Sequence, residues 1–230
     1  VMSNTGKVAA YIQYCRKRGI DVLPPDVNQS RANFTVVGNK IRFGLAAVKN
    51  VGIPAINAII EAREKKGEFK SFTDFCRKVD SAGINKKMVE SLIKCGAFDS
   101  LNVYRSQLIA VYEKVLDGIS QERRKNIQGQ VSLFDGLYGD QENSLSQDVL
   151  PDIDEFPLNI KLAMEKEVTG IYISGHPLSE YKQVLDSMNT TLDLQALKPS
   201  ENGIEDDVLA NNGLTDGSSI EIGGIIVDKK

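Results

Sequence analysis

The chain has 230 residues, 41% of them hydrophobic, with 28 Lys+Arg against 31 Asp+Glu and a net charge of −3. That size admits one large or two small domains with a buried core, and no apolar run is long enough to cross a membrane. Three scattered cysteines without a Cys-x-x-Cys pair, and a single histidine, argue against a disulfide framework or a metal site and fit a reducing cytoplasm. The polar start from Val1 to Gly6 does not read as a signal peptide.

In chain order, residues 5–18 suit a helix with Val8, Tyr11, Ile12 and Cys15 on one face, stopped by Gly19. Arg16, Lys17 and Arg18 crowd its last turn, which reads as a solvated helix end favoured by the helix dipole. Ile20–Leu23 is a short extended piece stopped by Pro24-Pro25. Phe34–Phe43 reads as a hairpin turning at Gly38-Asn39. Leu45–Val48 is a short helix, and the turn 49–52 leads into a helix to about Lys66, with Pro54 in its first turn and Ile56, Ile59 and Ile60 as its buried stripe. Ser71 and Asp74 suggest a capping box ahead of Phe72, Phe75, Cys76 and Val79. Asn85 is expected to cap a helix carrying Met88, Val89, Leu92 and Ile93. Asn102 is expected to cap the next and longest one, with Tyr104, Leu108, Val111, Tyr112, Val115 and Leu116 on one face.

Residues 119–157 lack periodicity and are polar, which reads as a linker. A helix is expected over about 160–173 and a second from Pro177, with Leu178, Tyr181, Val184, Leu185 and Met188 inward. Ser219–Val227 reads as a strand, expected to open a further β domain because a lone strand is not stable. The architecture expected is therefore mainly α with a small β-hairpin, then a linker, a helical pair and a β start.

The net charge hides a division. Up to Gly129 there are 22 basic against 12 acidic residues; from Gln130 onward there are 6 against 19. A basic front half can hold a polyanion and the acidic back half cannot. At the seam, Gln130-Val131-Ser132-Leu133-Phe134 reads as a docking peptide, with Leu133 and Phe134 as apolar anchors. His176, in Gly-His-Pro at a helix start, reads as a turn-filling residue, since no Ser or Cys nucleophile pattern surrounds it.

The segment Phe43–Arg63 resembles a helix-hairpin-helix motif. Lys49, Asn50, Val51 and Gly52 form its turn, in which a Gly-bearing backbone and the following helix N-terminus suit a phosphate. Such contacts position duplex DNA without reading sequence. Asn50 stands where the motif usually has its first Gly and tolerates a left-handed backbone better than most residues. A weaker second copy has Lys86 and Lys87 at its first helix start and Lys94, Cys95, Gly96 and Ala97 as its turn. The alternative for each copy is that the Gly is only a helix C-cap.

Leu23-Pro-Pro-Asp-Val-Asn-x-Ser30, Phe43–Gly52, Leu92–Asp99, Glu165–Leu178 and the final strand together resemble the alpha (polymerase) subunit of bacterial DNA polymerase III. The resemblance implies the end of a fingers domain over 1–40, tandem helix-hairpin-helix motifs over 41–118, and a linker with a clamp-binding peptide over 119–157. It further implies a helical segment over 158–190, and a linker with the first strand of an OB domain over 191–230. It implies duplex DNA, the sliding clamp (beta subunit) and other replisome subunits as partners, a cytoplasmic location and no membrane. The magnesium-binding palm carboxylates of the parent polymerase are expected upstream of Val1, so no catalytic residue, metal or cofactor is expected within this segment, and it should be inactive alone. Two other readings stay open. One is a helix-hairpin-helix repair or recombination protein without polymerase activity. The other is an interaction scaffold whose basic half faces an acidic protein.

Overall fold

The computed structural model describes residues 5–79, 84–127 and 149–187. These fall into two units, Val1–Gly175 and His176–Lys230. The first holds α1 (Thr5–Lys17), β1 (Val22–Leu23), β2 (Thr35–Val37), β3 (Lys40–Arg42), α2 (Ile53–Lys66), α3 (Phe72–Lys78), α4 (Lys86–Lys94), α5 (Arg105–Ile127) and α6 (Leu158–Thr169). Single 3-10 turns lie at Leu45–Ala47 and Asp99–Leu101. The second unit, over its described part, is a 3-10 turn at Pro177–Tyr181 leading into α7 (Lys182–Ser187). The expected helical pair is thus divided between the units. Tyr181 and Val184, expected inward, are exposed.

β2 and β3 form the antiparallel hairpin, with Gly38 at φ +61° in its turn and Val37 opposite Lys40. β1 adds to β3 in parallel, Val22 opposite Ile41, giving the order β1-β3-β2. The Leu23–Ser30 segment then ties sheet to helices through its polar residues. Asp26 Oδ1 accepts from the amides of Asn28 (2.7 Å) and Gln29 (3.1 Å), closing a turn. Ser30 Oγ accepts from the Asp26 amide and donates to the Phe43 carbonyl. Asn28 pairs with the Phe69 backbone in both directions, and the Val27 amide donates to the Ala97 carbonyl.

The core is helical. Ile56 and Ile59 of α2, Phe72 and Phe75 of α3, and Met88, Val89, Leu92 and Ile93 of α4 are fully buried around Phe43, Leu45 and Phe98. Phe98 meets Phe72 and Phe75 edge-on at 5.3 and 4.9 Å, a favoured aromatic geometry. Ser71 Oγ accepts from the Asp74 amide and Asn85 Oδ1 from the Met88 amide, so both expected N-caps are present. The Asp74 carboxylate accepts from the Lys70 amide rather than completing a box with Ser71.

Three other expectations are corrected. Asn102 does not cap α5; it is left-handed (φ +56°) and ends the 3-10 turn before it. The amides of Arg105 and Ser106, in the first turn of α5, instead donate to Glu155, both at 3.2 Å. Residues 119–127 are helix, because α5 continues to Ile127, and residues 151–155 dock on the start of α5. Tyr104 and Tyr11, expected on buried faces, are exposed. Arg16, Lys17 and Arg18 are exposed, as expected of a solvated helix end, and the Arg16 guanidinium also donates to the carbonyls of Ile173 (2.8 Å) and Tyr172 (3.3 Å).

Candidate nucleic-acid interface

The first hairpin runs from the 3-10 turn at Leu45–Ala47 through Lys49–Gly52 into α2. Val51 is buried and anchors the turn in the core, while Lys49, Asn50 and Gly52 are exposed. The left-handed residue is Asn50, at φ +64°. Gly52 is extended (φ −78°, ψ 156°) and serves as the N-cap of α2, without a side chain to cap it. A helix start leaves its first amides without intrahelical partners, and Pro54 removes one of them. The positive end of α2 therefore lies exposed a few positions after the exposed Lys49. A Cβ on Gly52 would meet only Pro54 Cδ, at 3.6 Å. Gly52 thus adds openness here and is not demanded by the backbone.

Two bonds hold this turn from other elements. The Lys49 amide donates to the Val168 carbonyl of α6 at 2.8 Å. Asn50 Nδ2 donates to Ser91 Oγ of α4 at 3.0 Å. Lys87 lies one helical turn before Ser91, hence on the same side of α4 as the Asn50 contact. Lys49 and Lys87 are exposed and make no ion pair among the described residues.

The second turn is closed. Gly96 is left-handed (φ +79°), its amide donates to the Ile93 carbonyl at 3.0 Å, and the Ala97 amide reaches the Leu92 carbonyl at 2.9 Å. This is the Schellman pattern of a helix C-cap. Cys95 donates its own amide to the Ser91 carbonyl, and all of Cys95, Gly96 and Ala97 are buried. The expectation that this turn offers amides to a phosphate does not survive the geometry, since the fold uses those amides itself. Burial pushes the Cys95 thiol up to about 12. Lys94 pairs with Glu90 (2.8 Å) and Glu167 (2.9 Å), and Lys86 with Asp117 (3.0 Å) and Glu113 (3.5 Å). Of the expected site residues, Lys49, Asn50, Gly52 and Lys87 remain on one exposed face. Gln130, Val131, Ser132, Leu133 and Phe134 lie outside the described residues.

What sequence reasoning missed is the network behind the second turn. Arg105 donates to Asp99 Oδ2 (2.7 Å), to the Lys94 carbonyl (3.2 Å) and to Glu165 Oε1 (3.0 Å). Glu165 Oε2 accepts from the amides of Ile173 (2.9 Å) and Ser174 (3.0 Å). Burial alone would lower the Arg105 guanidinium, but the bonds and charges of Asp99 and Glu165 outweigh it and hold it above its ordinary value. The only sequence signal was Glu165 at the head of the Glu165–Leu178 motif. His176 fills a turn, its Nδ1 accepting from the Leu178 amide.

Comparison with known proteins follows the same segments. A family model described as helix-hairpin-helix motif matches residues 19–108. DNA polymerase III subunit alpha of Mycobacterium leprae is 39% identical over 220 residues, 96% of this chain. The proteins of that name from Mycobacterium tuberculosis and Thermus aquaticus are 43% identical over 183 residues and 41% over 190. This chain belongs to the DNA polymerase III alpha-subunit family. It spans 17% of the M. leprae relative's length and 15% of the other two. Among the described residues, no helix is long and apolar enough to cross a membrane, and no group of three His, Cys, Asp or Glu could hold a metal ion.

Proposed function

We propose that this segment of the DNA polymerase III alpha-subunit family binds duplex DNA through the backbone of its first hairpin and docks the sliding clamp through Gln130–Phe134. The observation that supports the first part is the exposed, uncapped start of α2 a few positions after Lys49, inside the matched helix-hairpin-helix region. Contact is with phosphate and sequence-independent; Lys87 supplies a second charge on the same face. The relatives' names favour a replicative polymerase parent over a repair or recombination protein. Its partners would then be replisome subunits in the cytoplasm, its magnesium chemistry lying in the parent's palm.

Leu133 and Phe134 supply the anchors of the second part, each worth about 1.5–3 kcal/mol when fully buried. The test has two arms. Binding of unrelated duplexes is measured against salt, with equal affinities and a log–log slope of roughly −0.9 per neutralised phosphate expected. Strong sequence selectivity or salt insensitivity sinks the DNA reading. Leu133→Ala with Phe134→Ala should abolish binding of purified sliding clamp while leaving melting temperature and duplex affinity unchanged; a large stability loss would favour a core-covering role instead.

A further inference from the structure

We propose that Ser91, on α4, is a positioning residue for the first hairpin, holding Asn50 in the left-handed conformation that sets the turn for phosphate. This inference rests on the reading of that turn as a DNA contact.

The turn contains a conformational anomaly. Residue 50 is left-handed at φ +64°, a conformation that costs any side-chain-bearing residue and that Gly adopts freely. The sequence places Asn there. Asn is among the residues that tolerate this region best, but tolerance is not a preference. Something must hold it, and the structure offers one side-chain contact: Asn50 Nδ2 to Ser91 Oγ at 3.0 Å. Ser91 is buried although polar, so its hydroxyl depends on protein partners, and Asn50 supplies one. The partners lie 41 positions apart, on different elements of the two hairpin copies.

The consequence is a division of roles between the copies. The second turn is sealed as a helix C-cap and presents no amide. Its first helix, α4, contributes instead by fixing the turn of the first copy from the side. A Gly at position 50 would make the turn accessible but would leave it mobile. Asn with Ser91 makes it rigid, so less ordering is required when a phosphate binds. If the latch opens, residue 50 relaxes to ordinary backbone angles, the turn is competent only part of the time, and affinity falls by that fraction.

The experiment is a double-mutant cycle on the 230-residue chain, with a fluorescent duplex oligonucleotide as the probe and melting temperature as the fold check. Ser91→Ala should weaken duplex binding about fivefold, the net worth of roughly one hydrogen bond, with the salt slope unchanged because no phosphate contact is lost. Asn50→Ala, at an exposed position that leaves the core untouched, should weaken it at least as much. Asn50→Gly should weaken it less than Asn50→Ala, since Gly supplies the conformation without strain but leaves the turn mobile. In the Asn50→Gly background, Ser91→Ala should then have no further effect. Ser91→Ala costing affinity equally in both backgrounds, or in neither, overturns the latch while leaving the DNA reading intact. Absence of duplex binding by the unmutated chain overturns the DNA reading and this inference with it.

Discussion

Arg105 and Glu165 stand sixty positions apart and form an ion pair at 3.0 Å with their side chains only 3% and 0% exposed. Glu165 also receives the Ile173 and Ser174 amides, so its two oxygens bind three donors. Removing Glu165 takes one of two carboxylates from the buried Arg105 guanidinium and leaves the Ile173 and Ser174 amides without their acceptor. Glu165→Ala is expected to cost about 3–5 kcal/mol, and Glu165→Gln, which keeps one acceptor, less. Urea unfolding followed by circular dichroism checks this: the midpoint should drop with the slope unchanged. A surface-like effect of a few tenths would refute the network's importance.

Glu155 caps α5 from a segment that sequence alone assigned to a linker. Glu155→Ala should cost about 1 kcal/mol, the usual worth of an N-cap. It should also release residues 151–155, whose backbone takes bonds from Ser106 and Gln107. Limited proteolysis should then show new cleavage between residues 149 and 157, with the α2–α4 core still protected. Unchanged cleavage would mean other contacts hold the segment.

The two hairpin glycines should respond oppositely. At Gly52, where φ is negative and space is open, Ala should leave the melting temperature nearly unchanged. At Gly96, φ is +79° and a Cβ would run into the Arg105 guanidinium and come within 2.7 Å of Asp99 Oδ2. Gly96→Ala should therefore destabilise by more than the roughly 1 kcal/mol of a strained Gly site alone. Equal melting temperatures for the two variants would contradict these geometries.

The Cys95 thiol titrates near 9 when exposed and near 12 in the fold. Its folded value is raised, so the stability it contributes is whole below pH 9 and is lost as pH climbs towards 12, by at most ~1.4 kcal/mol per pH unit. Cys95→Ala should flatten that part of the profile. The check is the difference in urea midpoint between pH 9 and pH 10.5, measured for both proteins; parallel declines would assign the loss to other groups.

Much of the fold was legible because it is written locally. The stripe of Ile56 and Ile59, the i, i+3, i+4, i+7 run from Phe72 to Val79, the caps at Ser71 and Asn85 and the Gly38-Asn39 turn each depend on neighbours within a few positions. The candidate site was legible only in part. Lys49–Gly52 was found, with Asn50 as the residue suited to a left-handed backbone, but its partner Ser91 on another helix was not, because sequence spacing does not show which elements meet. The second turn looked like the first, since a Gly after a helix is compatible with both a phosphate turn and a C-cap; the carbonyls of Leu92 and Ile93 decide between them. Tyr181 and Val184 show the opposite failure: periodicity marks an apolar face without saying whether anything covers it.

The contact of Glu155 with the start of α5 makes that helix answer to residues some fifty positions further along the chain. α5 is 23 residues long, so its two ends are about 33 Å apart. A pull applied at Glu155 is therefore felt first where α5 begins, at the turn that also carries Arg105.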